Sequence, residues 1–182
     1  MNLASTARRY GSVSIGLHWL MLALLIGVYA CIELREFYPK GSAPRESLKD
    51  WHFMLGLTIL VLVGVRLLNR LIERAPAVVP PLPPWQTRSA RLIHTALYVL
   101  MVVMPVLGWL TLSAAGKPIP FFGLQLPALL AQNKGLADSL KEVHAVIGTT
   151  GYFLIGAHAL AALFHHFITR DNTLVRMLPG KR

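Results

Sequence analysis

The chain has 182 residues, of which 54% are hydrophobic and 14% are charged, and its formal net charge is +10. About a quarter of the residues in a soluble domain are charged, so this composition excludes an ordinary soluble fold. Nucleic-acid binding needs basic residues clustered on a soluble module, and the sequence shows no such cluster. The single cysteine, Cys31, cannot form an intrachain disulfide.

Four long stretches of the chain are almost free of charged residues. A helix needs about 20 apolar residues to cross the hydrocarbon layer of a membrane, and each stretch is long enough. We therefore predict an all-α membrane protein in which a single domain, 1–182, forms a four-transmembrane-helix bundle. The predicted helices cover about 12–33, 51–72, 90–113 and 142–169.

The first predicted helix follows Arg8 and Arg9 and carries His18. Its apolar run exceeds the roughly 7–15 residues of a signal-peptide core, so we expect it to remain as a membrane span. The loop that joins it to the second helix has mixed charge. The basic residues of this loop are Arg35, Lys40, Arg45 and Lys49.

The second predicted helix opens with WHFMLGLT, in which His52 precedes Gly56 by one helical turn, and it carries Arg66 towards its other end. The segment 75–88 follows and contains APAVVPPLPPW, with five prolines. So many prolines are incompatible with a helix and predict a stiff, extended linker.

The third predicted helix carries His94 near its start, one turn after Arg91. Tyr98 follows one turn later on the same face, and its bulk argues against His94 as a ligand of a wide cofactor. We therefore expect His94 to bond a neighbouring helix. The loop after this helix contains GKPIPFFGLQLPALLAQ, which proline interrupts too often for a span and which we expect along the membrane interface.

The fourth predicted helix contains four histidines, although ionisable side chains within a membrane are costly and usually mark function. It begins after Lys141 with VHAVIGTT, so that His144 precedes Gly148 by one turn, as His52 precedes Gly56. A glycine on the same face as each histidine leaves room for a wide, planar cofactor such as a porphyrin.

His158 shares a helix face with His144, because their spacing is close to an integral number of turns, and the two lie about 21 Å apart along the axis. His165 also keeps this face, but it lies about 31 Å from His144, which is the full thickness of the hydrocarbon layer. We therefore favour His158 as the second functional histidine. His165 and His166 are expected in the hydrated headgroup region.

Charge predicts the orientation of the spans. With four spans, both termini and the proline-rich linker share one side, which holds 11 of the 18 Lys and Arg residues. The other side holds seven, together with six of the eight acidic residues. Positive residues favour the cytoplasm, so both termini are predicted to be cytoplasmic.

The depth at which each histidine lies in the membrane predicts which histidines of different helices are neighbours. His52 and His144 both lie towards the outer side, whereas His18 and His158 lie towards the inner side. Two facing imidazoles suit the axial positions of a b-type haem iron, so we predict two haem b groups, one above the other. Zinc prefers about four ligands, often with Cys or carboxylate, and a proton relay needs membrane acids; a histidine-based metal or proton transporter is the weaker alternative.

Several segments also carry a family resemblance. They are SIGLHWL at Ser14–Leu20, ELREFYP at Glu33–Pro39, His52 at the start of its helix, YFLIGAH at Tyr152–His158 and DNTLVRMLP at Asp171–Pro179. These segments, and nearly the whole chain, resemble the bacterial cytochrome b561 family of small di-haem membrane proteins. The resemblance implies a multi-pass protein of the bacterial inner membrane in which His18, His52, His144 and His158 bind the haem irons.

The resemblance is strongest to members that take electrons from periplasmic superoxide and pass them to ubiquinone, so it implies an oxidoreductase of this type within respiratory electron transport. Superoxide is a small anion, and basic groups raise its local concentration. Five basic residues lie near the outer histidines in the sequence. They either steer superoxide or serve as headgroup anchors or propionate partners: Arg35, Lys40, Arg45, Lys49 and Lys141.

Arg66 and Arg91 are candidates for pairing with the propionates of the inner haem. The alternative function is a cytochrome b subunit that links a dehydrogenase or hydrogenase to the quinone pool. Membrane lipid and ubiquinone are expected partners in either case, and a homodimer is compatible with the sequence. No short motif indicates where a quinone binds.

Overall fold

Four long helices dominate the structure, a computed structural model that describes residues 6, 9–73 and 75–179. Each helix is long and apolar enough to cross a membrane, and the prediction of a four-helix membrane bundle is confirmed. Four basic residues of the inner-side charge count lie outside the described residues: Arg8, Arg74, Lys181 and Arg182. The helices are α1 (Ser12–Leu34), α2 (Ala43–Ile72), α3 (Pro84–Ala114) and α4 (Lys134–Phe164).

Three helices begin earlier than the sequence predicted, α2 at 43 instead of 51, α3 at 84 instead of 90 and α4 at 134 instead of 142. The linker therefore ends at Pro83, not at 88. Proline in the first turn starts α2 and α3, where its missing N–H is not needed. Asn133 caps α4 by accepting a hydrogen bond from the backbone N–H of Leu136. The first turns of α2 and α4 are charged, so a search for uncharged stretches overlooks them.

The helices pack in chain order, α1 against α2, α2 against α3 and α3 against α4. Met21, Ile59 and Val63 form the buried centre of the bundle. By contrast, α1 and α4 approach each other closely at few points. Side chains bridge this weakly packed side, since the Tyr29 hydroxyl donates to the carbonyl of Gly148 at 2.9 Å.

The loop between α3 and α4 forms a short hairpin at the outer end of the bundle, the end where α2 begins. Its strands are β1 (Pro120–Phe121) and β2 (Leu124–Gln125), paired antiparallel. The two turn residues, Phe122 and Gly123, both have positive φ, 46° and 85°, as tight hairpin turns require. Ile119 precedes the hairpin and is buried against α2 and α3, which holds the loop on the bundle.

The segment after α4 folds back across the inner end of the bundle. The indole N–H of Trp19 on α1 donates to the carbonyl of Met177 at 2.8 Å. The side-chain oxygen of Asn172 accepts the backbone N–H of Val79 in the linker at 2.9 Å. The C-terminal segment thus ties α1 and the proline-rich linker to the end of α4.

His165 and Asp171 close the turn from α4 into this segment. The ring nitrogen Nδ1 of His165 lies 2.5 Å from Oδ2 of Asp171, and the backbone N–H of Thr173 donates to Oδ1 at 2.7 Å. Burial by itself raises the pKa of the Asp171 carboxyl, but hydrogen bonds from Thr173 and His165 outweigh burial and lower it. The contact gives His165 a structural partner at the inner end of the bundle.

Substitution of Gly151 tests the contact between α1 and α4. A Cβ atom at this position would lie 2.2 Å from the Tyr29 hydroxyl oxygen, so Gly151→Ala is expected to displace Tyr29 and break its hydrogen bond to Gly148. The loss should be about 1–3 kcal/mol, measured as a lower midpoint of thermal unfolding in detergent. Gly64→Ala is the control, because a Cβ there meets nothing within 4 Å. Equal midpoints for the two variants would contradict this interpretation of the contact.

Candidate functional site

Two pairs of histidines from different helices meet inside the bundle. The ring centres of His52 on α2 and His144 on α4 are 6.1 Å apart. Those of His18 on α1 and His158 on α4 are 6.3 Å apart. All four side chains are half-buried, and the structure brings together the same two pairs that the depth argument predicts.

The separation of the rings fits one metal atom in each pair. A ligating imidazole nitrogen lies about 2 Å from its metal, so two rings on opposite sides of one iron have centres about 6 Å apart. Both pairs meet this requirement. The rings are steeply inclined to each other, by 70° in the outer pair and 75° in the inner pair.

The outer pair is His52 and His144. Nδ1 of His52 lies 3.0 Å from the carbonyl oxygen of Val28 on α1. When Nδ1–H donates to this carbonyl, the lone pair of Nε2 is left for a metal. The backbone of Met104 on α3 lies beside the His144 ring, although the buried Nδ1 forms no hydrogen bond of good geometry with a described residue.

The glycines near the outer pair differ in what surrounds them. A Cβ at Gly56 would meet nothing within 4 Å, which matches the predicted open space. A Cβ at Gly148 would lie 3.3 Å from the terminal methyl of Met104, so that position faces α3 and not an open space. Gly108 on α3 was not predicted, yet a Cβ there would lie 3.5 Å from Cε1 of His144. An isolated glycine in an apolar span was the only sequence signal for it.

A third histidine, His94, lies at the inner pair. Its ring centre is 5.2 Å from that of His158, which is shorter than two rings on opposite sides of one metal atom allow. His94 is also exposed, unlike the four paired histidines. The geometry therefore favours His18 as the partner of His158 across a metal, while His94 makes an edge-to-face contact.

Arg66 on α2 reaches the inner pair. Its Nη2 lies 3.2 Å from Nδ1 of His18, and its Nε donates to the Tyr98 hydroxyl at 3.2 Å. Because a guanidinium only donates, Nδ1 of His18 is the acceptor here. Nη1 of Arg66 is buried with no partner in the described part of the chain, and a carboxylate would satisfy it. Tyr98, whose bulk counted against His94 in the sequence, positions Arg66.

Arg91, the other predicted propionate partner, is placed differently. It lies one turn before His94 on α3 and is exposed. The structure records no hydrogen bond or ion pair between Arg91 and any residue it describes. Of the two predicted arginines, only Arg66 contacts a paired histidine.

The five outer basic residues fall into two groups. Arg45 binds both carboxylate oxygens of Glu36, at 3.0 and 3.1 Å, and Arg35 binds the same carboxylate at 3.0 Å. Lys49 pairs with Glu46. Three of the five basic residues thus lie in ion pairs, in which Glu36 and Glu46 together cancel two positive charges. The other two form no ion pair with any described residue and remain as uncompensated charge: Lys40 and Lys141.

The side chains available as metal ligands also distinguish a haem from a bound zinc ion. Within residues 9–73 and 75–179, no group of three or more His, Cys, Asp or Glu side chains is arranged to hold a metal ion. Zinc needs about four such ligands, whereas an iron porphyrin needs only two axial ones because the macrocycle supplies the rest. The paired histidines therefore fit a haem better than a bare metal ion.

Comparison with known proteins gives consistent matches along the chain. The sequence-family model described as prokaryotic cytochrome b561 matches residues 9–180. The probable superoxide oxidase CybB of Yersinia pestis is 41% identical over 175 residues, covering 96% of this chain and 98% of that protein. Cytochrome b561 homolog 1 of Escherichia coli (strain K12) is 37% identical over 174 residues, covering 96% and 99%. Homolog 2 of the same strain is 32% identical over 179 residues, covering 98% and 95%. The resemblance noted in the sequence is confirmed.

Proposed function

Because the chain belongs to the prokaryotic cytochrome b561 family, and is thus a multi-pass inner-membrane electron-transfer protein that binds haem b, we propose that it holds two haems and oxidises superoxide with ubiquinone. The observation that supports two haems is the presence of two histidine pairs with ring centres 6.1 and 6.3 Å apart. The 41% identical relative named a probable superoxide oxidase supports the choice of substrate.

His52 and His144 are the proposed ligands of the outer haem, and His18 and His158 those of the inner haem. When bound, each haem supplies a one-electron redox centre. The carbonyl of Val28 orients the His52 ring and keeps Nε2 unprotonated for ligation. The protein itself thus orients this ligand, through a contact that needs no cofactor.

Arg66 is the proposed partner of a haem carboxylate at the inner pair, because its Nη1 is buried and unpaired. Moving the guanidinium from His18 to a carboxylate would let Nδ1 of His18 carry the ring proton, which leaves Nε2 for iron. Binding of a haem carboxylate by Arg66 would therefore determine which ring nitrogen of His18 carries the proton.

The proposed overall reaction balances two superoxide ions against one quinone. Each superoxide loses one electron and becomes O2, and ubiquinone takes up two electrons and two protons to become ubiquinol. Lys40 and Lys141 attract the anion to the outer end of the bundle, since their charges are uncompensated. On the charge distribution of the sequence, the outer end is periplasmic and both termini are cytoplasmic.

Alanine substitution of each histidine tests the ligand assignment. We expect two haems per wild-type chain by the pyridine haemochrome assay, and one after substitution of any one of the four ligands, because one axial bond alone holds b-type haem poorly. His94→Ala and His166→Ala should retain both haems. Size-exclusion profiles show whether each variant is folded. Loss of haem from His94→Ala with retention in His18→Ala would reassign the inner ligand. The four ligands are His18, His52, His144 and His158.

Superoxide-driven reduction of a short-chain ubiquinone by the purified, haem-loaded protein tests the function. We expect ubiquinol to form while superoxide is generated enzymatically, with two O2 released per ubiquinol. His52→Ala is the matched inactive control, since it removes a ligand of the outer haem. If the wild-type protein does not react with superoxide but purifies as a tight complex with a dehydrogenase, the result would instead support the alternative function, a cytochrome b subunit that links a dehydrogenase to the quinone pool.

Removing two of the outer lysines that form no ion pair with a described residue tests electrostatic attraction of the substrate. Lys40→Gln combined with Lys141→Gln should lower the second-order rate with superoxide about threefold at low ionic strength, and the difference should fade as salt screens the charges. The matched control combines Arg88→Gln with Arg170→Gln at the inner end, which removes equal charge. A rate that is equally low in both double variants would show that net charge alone matters.

A further inference from the structure

The C-terminal segment brings an arginine, Arg176, to the inner end of the bundle. This residue lies in the short 3-10 turn Val175–Met177 that follows α4. Its backbone carbonyl accepts the N–H of Tyr10 at 3.3 Å, and its guanidinium lies over the Tyr10 ring, 5.5 Å from the ring centre. Nη1 of Arg176 donates to the carbonyl of Pro76 in the linker. These contacts fix the guanidinium between the start of α1 and the proline-rich linker.

The charges of three guanidinium groups converge near the inner histidine pair. They belong to Arg66 and Arg70 on α2 and to Arg176, and all three lie close enough to His94 for their charges to act on it. The ring of His94 in turn contacts that of His158. None of the three arginines forms an ion pair with a residue that the structure describes. Because like charges held close together repel one another, an anionic group among them would stabilise the cluster.

Two of these arginines each have a buried nitrogen that lacks a partner. Nη1 of Arg66 and Nε of Arg176 form no hydrogen bond with any residue in the described part of the chain. A buried donor without an acceptor is costly, whereas a carboxylate oxygen would satisfy it with a charge-assisted hydrogen bond. A b-type haem carries two propionate carboxylates on one edge. The two unpaired nitrogens therefore match the two carboxylates of a single haem.

The C-terminal segment also contacts the helix that carries one of the inner histidines. Trp19, which follows His18 in α1, donates its indole N–H to the carbonyl of Met177, the residue after Arg176. One short turn thus lies next to a proposed iron ligand and also presents a guanidinium that lacks a partner for Nε. Arg91 offers neither feature, since it is exposed and forms no recorded contact.

We infer that Arg176 binds the second carboxylate of the inner haem, while Arg66 binds the first, an inference that rests on the proposed function. The C-terminal segment is then part of the inner haem site and not merely a brace between α1 and the linker. Arg176 takes the role that the sequence suggested for Arg91. Haem binding at the inner pair would join α1, α2, α4 and the C-terminal segment through one group.

The rate of haem release tests this contact in the full haem-loaded protein in detergent. Excess apomyoglobin captures haem as it dissociates, and Arg176→Gln should release one of the two haems about tenfold faster than the wild type. In the His18→Ala background, which retains only the outer haem, Arg176→Gln should change nothing. Arg91→Gln is the matched control, because it removes the same charge from the same end of the bundle. Equal release rates for Arg176→Gln and Arg91→Gln would overturn the inference.

Reconstitution with haem dimethyl ester distinguishes a bond to the carboxylate from a structural effect. Both carboxylates are neutral esters in this haem, so Arg176→Gln and the wild type should release it at the same rate. A variant that still releases the ester about tenfold faster would show that Arg176 only supports the fold of the segment. Arg176→Lys keeps the charge but not the planar fork, and it should restore part of the retention of natural haem.

The outcome for haem release is independent of the outcome for superoxide. If the wild-type protein holds two haems but does not react with superoxide, the proposed substrate is wrong, and the comparison of release rates still decides the role of Arg176. If superoxide drives ubiquinone reduction and Arg176→Gln releases both haems at the wild-type rate, only this inference fails.

Discussion

Four imidazole rings that meet in two pairs across an apolar bundle are the constraint on which the rest of the structure depends. An ionisable side chain in a membrane is costly and usually marks function, and here the rings lie in pairs about 6 Å apart, the separation that one metal atom between two imidazoles requires. α4 contributes to both pairs, while α1 and α2 contribute one ring each. His18 and His158 join α1 to α4, the two helices that otherwise pack weakly. A group bound between them would stabilise the bundle where its own packing is least, because ligands that bind only the folded state stabilise it.

The weak side of the bundle has a second consequence. Close packing of α1 on α2 and of α3 on α4 buries the apolar core, and the space left between α1 and α4 becomes a groove open to lipid. Tyr29 spans that space because Gly151 leaves room for its hydroxyl, which bonds the carbonyl of Gly148. This hydrogen bond joins the two helices across the gap. Packing, cofactor site and groove are therefore three results of one helix arrangement.

The two ends of the bundle differ in the partners of their basic residues. At the inner end, Arg66 contacts His18, and the C-terminal segment holds the neighbouring Trp19 through its bond to Met177. The segment DNTLVRMLP, which contributed to the family resemblance, thus positions the helix that carries His18. At the outer end, Arg35, Arg45 and Lys49 form ion pairs with Glu36 and Glu46. The other outer basic residues, which are four lysines, form no ion pair with a residue that the structure describes: Lys40, Lys117, Lys134 and Lys141.

The sequence by itself determined the four spans, the family and the depth of each histidine. Helical rise and membrane thickness relate position in the chain to depth, so the pairs His52–His144 and His18–His158 follow from chain position alone. Depth is a single coordinate, however, and the lateral neighbours depend on how the helices are arranged around one another. Only the tertiary structure decided that Arg66 and not Arg91 contacts His18 and that Gly108 lies beside His144. The groove between α1 and α4 was equally hidden, because a gap arises from helices that do not pack and leaves no pattern along the chain.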